Sequence, residues 1–191
     1  MKLWQRLPDI PANDTRKAWQ KQAQIPEPVH CYEEAREAWY AAWHRWPHDD
    51  AWLGAKRQAD ATLQTAYEAV VPAGFDAAWR QLHAGEKPDW EPLLRFLEDD
   101  WIFFASGYRK AALIQDIKRA ELPSHVQSRL RQVVLNVVDR RDGREFRYFC
   151  KLARKVDAPE LRAALRERMT SNDPNVRRRA NWALYACEQK R

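Results

Sequence analysis

A chain of 191 residues is long enough to bury a core without disulfide or metal staples, and it suits one domain or two small ones. Apolar residues make up 45% and charged residues 31%, as in ordinary soluble globular proteins, and the formal net charge is +6. The longest strongly apolar run, Trp101 to Ala105, is far short of the ~20 residues of a membrane span, and Met1 to Pro8 lacks the apolar core of a secretory signal. Three widely separated cysteines, Cys31, Cys150 and Cys187, argue against a disulfide framework and for a reducing compartment, so the expected location is the cytoplasm.

Five glycines and almost no alternating β-branched runs leave little room for sheet, and helical spacing recurs along the chain. The predicted class is all-α. Asp14 caps a short helix through Gln24, and Ile25-Pro26-Glu27-Pro28 then forces an extended linker. A helix from about Tyr32 to Trp46 carries Tyr32, Ala35, Trp39, Ala42, Trp43 and Trp46 on one stripe, and Pro47 stops it. Asp49 or Asp50 caps the next, which lines Trp52, Ala55, Ala59, Leu63, Ala66, Tyr67 and Val70 along one face before Pro72. Phe75 to His83 forms a short helix with Phe75, Ala78, Trp79 and Leu82 inward. Gly85 to Asp89 is the best internal boundary. It separates a tryptophan-rich helical region, 1–88, from helical hairpins over 89–191, the two packed as one unit.

Beyond the boundary, Trp90 to Phe104 leads into Tyr108 to Ala120, with Gly107 as the break between them. Pro123 and Ser124 open a helix whose Val126, Leu130, Val133, Val134, Val137 and Val138 form an apolar face. Asp142-Gly143 turns into a helix from Phe146 to Lys155. Ala158-Pro159 starts another, with Leu161, Leu165 and Met169 inward. Ser171 to Asp173 turns into the last helix, with Pro174 at its first position, where a proline costs nothing.

The last helix has an echo. Placing Phe146 over Val176 puts Arg147 on Arg177, Cys150 on Ala180 and Ala153 on Ala183, a spacing of 30 residues. A fainter copy begins at Tyr108-Arg109, with Ala112 in the small-residue position and a spacing of 38. Self-similarity at such spacing marks stacked helical hairpins. Asp173, Val176, Arg177, Ala180, Ala183 and Leu184 resemble the second helix of a HEAT repeat, in which an aspartate and a short turn precede Val-Arg-x-x-Ala-x-x-Ala-Leu. The resemblance covers about residues 90–188. It implies a short α-α superhelix in which Arg109, Arg147 and Arg177 are structural, each reaching the aspartate of a neighbouring repeat. Small residues at Cys150, Ala153, Ala180 and Ala183 let the paired helices approach closely. The aspartate satisfies amides at the helix start.

Charge is divided unevenly. Residues 1–108 hold 12 Lys/Arg and 17 Asp/Glu, whereas residues 109–191 hold 21 and 10. Such polarity points either to an acidic partner or nucleic acid, or to attraction between the halves. Arg140, Arg141, Arg144, Arg178 and Arg179 fall at the turns and starts of second helices, where backbone amides and the positive dipole end also suit an anion. Trp182 lies off the buried face and aligns with Arg178 and Tyr185, an aromatic stripe that is either covered or used. These seven residues are the candidate binding set. Cys31, His44 and His48 have the spacing of half a zinc finger, but the other half is missing and Pro47 interrupts the ligand helix, so no metal is expected. Among the ten tryptophans, the helical spacing of Trp39, Trp43 and Trp46 reads as core.

No nucleophile–base pair, phosphate loop or paired carboxylate stands out, and no cofactor is expected. The expected function is non-catalytic binding, with a basic HEAT-like surface engaging an acidic protein partner. The alternatives are nucleic-acid binding, extending to base chemistry of the kind implied by a resemblance to alkylpurine DNA glycosylases built from HEAT-like repeats, and a structural subunit of a larger assembly. No membrane partner is expected.

Overall fold

The computed structural model describes residues 26–45, 49–140, 143 and 145–189. Among these the chain is all-α, with no strand. The helices are α1 (Glu27–Trp43), α2 (Asp50–Val70), α3 (Phe75–His83), α4 (Trp90–Asp99), α5 (Ser106–Ile117), α6 (Ser124–Arg140), α7 (Phe146–Lys155), α8 (Pro159–Arg168) and α9 (Pro174–Glu188). None is long and apolar enough to cross a membrane.

Most boundaries follow the local chemistry read above. Asp49 caps α2 by accepting from the Trp52 amide at 2.8 Å, and Asp173 caps α9 through the Asn175 amide at 2.8 Å. Some expectations need correction. The extended linker ends at Pro26, and α1 starts at Glu27, because Pro28 falls in the first turn, where no intrahelical N–H is needed. The break after α4 comes at residues 100–105 rather than at Gly107, which lies inside α5. Asp100 and Ala105 bracket that break in left-handed conformations, with φ of 49° and 63°. Met169 is exposed, not inward, because α8 ends at Arg168. The helix expected over Asp14 to Gln24 lies outside the described residues, as do Trp46 and Asp142.

The tryptophan stripe is also only partly core. Trp39 is half-buried and donates Nε1–H to Asp60 at 2.7 Å; Trp52 donates to the Ala42 carbonyl at 2.9 Å. Trp43 is 41% exposed, under the Lys56 ammonium at 4.5 Å from its ring centre. Two long antiparallel helices have too narrow a shared seam to cover three tryptophans at once.

Beyond α1 and α2 the helices pack in two rows. α4, α6 and α8 lie side by side, and α5, α7 and α9 form the second row against them, with α3 closing the start of both. Cys150, Ala153, Ala180 and Ala183 are each at most 1% exposed where α7 meets α9, as close approach of the helices requires. One core runs the whole length, from Val29 to Cys187. It crosses the Gly85–Asp89 boundary, with the Phe75 ring 4.4 Å from that of Phe96.

Each of five helix ends receives a cation from a different helix. Lys110 of α5 donates to the Trp101 carbonyl just past α4 (2.8 Å), Lys155 of α7 to Ala120 past α5 (2.8 Å), and Arg179 of α9 to Val138 near the end of α6 (2.6 Å). Arg131 of α6 donates to Val156 past α7 (2.9 Å), and Arg162 of α8 to Cys187 at the end of α9 (3.2 Å). Helix C-termini leave carbonyls without partners and carry partial negative charge, so a cation there satisfies both.

The arginine ladder implied by the resemblance is not present in that form. Arg177 donates to the carbonyls of Ser171 and Asn172 in its own turn, at 2.7 and 3.1 Å. Arg147 lies over Tyr148, and only Arg109 meets an aspartate, Asp76 at 3.7 Å, together with the Tyr67 hydroxyl. The buried arginine is Arg179, two residues on.

Removing Arg179 should therefore cost more than removing Arg177. Arg179→Met strands buried carbonyls and should destabilise by about 2–3 kcal/mol, whereas Arg177→Ala, at an exposed turn, should cost under ~1 kcal/mol. Urea denaturation of both variants measures this, and equal losses would contradict the assignment. Lys110→Met should cost more still, about 3–5 kcal/mol, because Lys110 is 0% exposed and its removal breaks a buried ion pair with Asp100 at 2.7 Å.

Candidate functional site

The two rows differ in charge. Helices α5, α7 and α9 carry nine Lys/Arg against two Asp/Glu, Asp116 and Glu188, whereas α4, α6 and α8 carry seven against six. First-row cations are largely answered by carboxylates. Arg129 of α6 binds Glu91 and Glu98 of α4, Arg168 binds Asp139 at 2.8 Å, and Arg162 binds Asp157. Arg129 keeps Glu91 below its usual carboxylate range through these hydrogen bonds. The two links of Arg129 join the acidic and basic halves of the sequence, as do Arg109–Asp76 and Lys110–Asp100. Part of the charge asymmetry is thus consumed within the fold.

On the second row the outward groups include cations and aromatic rings beside Gln115, Asn175, Asn181 and Glu188. Tyr148 lies between Arg147 and Lys151, whose charged atoms sit 4.9 and 5.0 Å from its ring centre. The half-buried Trp182 packs on Phe146 at 6.0 Å and bears the Arg178 guanidinium at 5.3 Å. Tyr185 is 39% exposed on the same helix, and Tyr108, at 76%, is on α5. Such cation–aromatic contacts each contribute about 0.5–1 kcal/mol at exposed sites and hold the long cationic side chains in place.

The predicted binding residues are therefore not all equivalent. Arg178, Trp182 and Tyr185 share the outer side of α9. Arg140 is exposed at the end of α6, which Arg179 ties to the start of α9. Arg179 itself is 3% exposed, with its guanidinium on the carbonyls of Val138 and Asp139, so it cannot present charge to a ligand. Arg141 and Arg144 lie outside the described residues.

Two groupings escaped the sequence reading. At the far end of the second row, Lys118, Arg119, Lys151 and Arg154 converge where α5 and α7 finish. Burial, then repulsion from Lys151, Arg154 and Arg119, holds the Lys118 ammonium below the usual lysine range. Beside it a cleft of about 760 Å³ opens between α3 and the α5–α6 connection, lined by Leu82, His83, Lys87, Trp90, Asp116 and Arg119 among others. The buried Asp116 carboxylate accepts from Trp79 Nε1 at 3.0 Å, His83 Nδ1 at 3.1 Å and Arg119 at 3.4 Å. Its role is to hold those three side chains. Residues 37 and 33 positions away supply the first two donors, a separation at which no local pattern exists to find.

Of the half zinc-finger set, Cys31 interacts with Glu27 and His44 donates to the Tyr40 carbonyl at 2.8 Å, while His48 lies outside the described residues. Among the described residues no group of three or more His, Cys, Asp or Glu could hold a metal. Compared with protein-family models, curated proteins and solved structures, the chain matches none.

The cysteines give a direct check of this packing. Cys150 and Cys187 are buried, and burial pushes both thiols up to about 12, whereas Cys31 is exposed. Cys31, raised by desolvation and then by Glu27, holds less thiolate near neutral pH than a free cysteine and should gain reactivity as pH rises. Native protein should titrate with one thiol per chain in an alkylation assay at pH 8, and with three only after denaturation. Three fast native thiols would contradict the α7–α9 packing.

Proposed function

We propose that the protein is a non-catalytic binding module, with the cationic and aromatic outer side of α5, α7 and α9 engaging an acidic protein surface. The observation that carries this reading is the charge contrast between rows built from the same kind of hairpin. Lys110, Lys155 and Arg179 serve helix ends, which leaves six cations on that row against Glu188 and the buried Asp116, and interleaved tyrosine and tryptophan are the residues enriched in protein interfaces. The side-by-side second helices also support a short HEAT-like stack, an architecture that offers an extended binding surface. Arg140, Arg178, Trp182 and Tyr185 would contribute at one end of that surface, and a reducing cytoplasm fits the three free thiols.

Nucleic-acid binding is the second reading, favoured by the length of the cation row. Salt dependence separates them. Duplex DNA held through roughly four phosphates would give a log–log slope of affinity against salt near −3.6, whereas a mixed apolar and charged protein interface gives a shallower slope, expressed mainly in the association rate. On a protein partner, Trp182→Ala should weaken binding by about 2 kcal/mol, more than any single arginine change, in the folded fraction. Sub-micromolar binding to random-sequence DNA at physiological salt, with the steep slope, would reverse the order of the two readings.

A further inference from the structure

Lys118 and Arg119 follow the end of α5, and Lys151 and Arg154 occupy one side of α7 at i and i+3. The Lys155 bond to the Ala120 carbonyl, 2.8 Å, pins the two helix ends together and fixes the convergence. Lys155 already occupies the Ala120 carbonyl, so the other four cations are not needed for that bond. In the first row Arg129, Arg162 and Arg168 meet carboxylates, and on α9 Arg178 rests on a ring. Here Arg119 alone meets a carboxylate, at 3.4 Å from Asp116, and among the described residues Lys118, Lys151 and Arg154 have no carboxylate at ion-pair distance. Both Arg119 and Arg154 are exposed, so their donors are available. Lys118 is repelled by Lys151, Arg154 and Arg119, and a concentrated counter-charge relieves that repulsion.

We propose that this cluster binds a phosphate monoester dianion carried on a side chain of the protein partner. A monoester brings close to two negative charges and three acceptor oxygens to one point, which suits the exposed Arg119 and Arg154 beside Lys118, with Lys151 on the Tyr148 ring next to them. A carboxylate brings one charge and two oxygens. A phosphodiester brings one charge per unit, spread along a backbone. The adjoining cleft leaves room for the segment that bears the phosphate, with Trp90 on its wall. The choice of a partner-borne phosphate rests on the binding reading above, but the site itself does not.

The test is an NMR titration of the full chain with four probes: N-acetyl-phosphoserine amide, N-acetyl-aspartate amide, dimethyl phosphate and inorganic phosphate. Phosphoserine amide should move the amides of 118–120 and 151–155 and bind at least about tenfold more tightly than the aspartate and the diester. Lys118→Gln with Arg154→Gln, both outside the core, should abolish that preference while helicity is kept. Arg166→Gln on α8 should leave it unchanged. Equal affinity for the monoester, diester and aspartate, or a preference that survives the double variant, would overturn the site. Inorganic phosphate binding as tightly as phosphoserine amide would overturn the partner-borne source and leave a free-anion site. If the monoester preference holds while acidic proteins fail to bind the second row, the binding reading falls and the phosphate site stands.

Discussion

The arrangement of the second half of this protein depends on cations donated to helix C-termini. A helix that ends inside a packed stack leaves carbonyls that water cannot reach, and each costs on the order of 1–3 kcal/mol if left without a donor. The chain meets this with Lys110, Arg131, Lys155, Arg162 and Arg179, each reaching from one helix to the end of another. Because every such bond joins two elements, it fixes their relative height as well as satisfying a carbonyl. Apolar packing along α6, through Val126, Leu130, Val133, Val134, Val137 and Val138, supplies attraction between layers but little information about axial register. The point contacts of the cations supply it.

A strongly basic sequence therefore need not imply an equally basic surface. Lys110 and Arg179 are buried, and Arg129, Arg162 and Arg168 are engaged by carboxylates. Attraction between an acidic first half and a basic second half is thus real but partial, running through Arg109–Asp76, Lys110–Asp100 and Arg129–Glu91. What remains outward is concentrated on one row. Arg147, Lys151 and Arg178 rest on the rings of Tyr148 and Trp182, which lets these side chains stay ordered, and a ring carries no net counter-charge.

Helix placement was legible because it is governed by local chemistry. Asp49, Asp173 and Pro174 mark starts through amide capping and a fixed φ, and the apolar period of α6 marks its buried side. Gly107 misled because the left-handed positions went to Asp100 and Ala105, where the Lys110–Asp100 pair and the Ser106 hydroxyl, accepting from the Phe103 amide at 3.2 Å, hold the turn. The arginines show the limit more clearly. Arg177, Arg178 and Arg179 are identical in type and adjacent, yet one caps its own turn, one covers a tryptophan and one is buried. A helix advances by about 100° per residue, so neighbours face different surroundings, and repeat alignment singled out Arg177 while the fold buried Arg179. Asp116 was illegible for another reason: two of its donors come from α3, and only tertiary packing joins them.

The same geometry constrains where a ligand can be held. Cations that clamp helix ends are unavailable to a partner, and replacing them would disturb register before it affected binding. Cations one turn away are released from that duty. At the joint of α5 and α7 the division falls between adjacent residues, since Lys155 takes the Ala120 carbonyl while Arg154 is exposed. Lys118, two residues from Ala120, is partly buried and repelled by its neighbours. A rigid joint that forces like charges together carries a standing electrostatic cost, and an anion that fills the gap recovers it on binding without any reorganisation of the backbone.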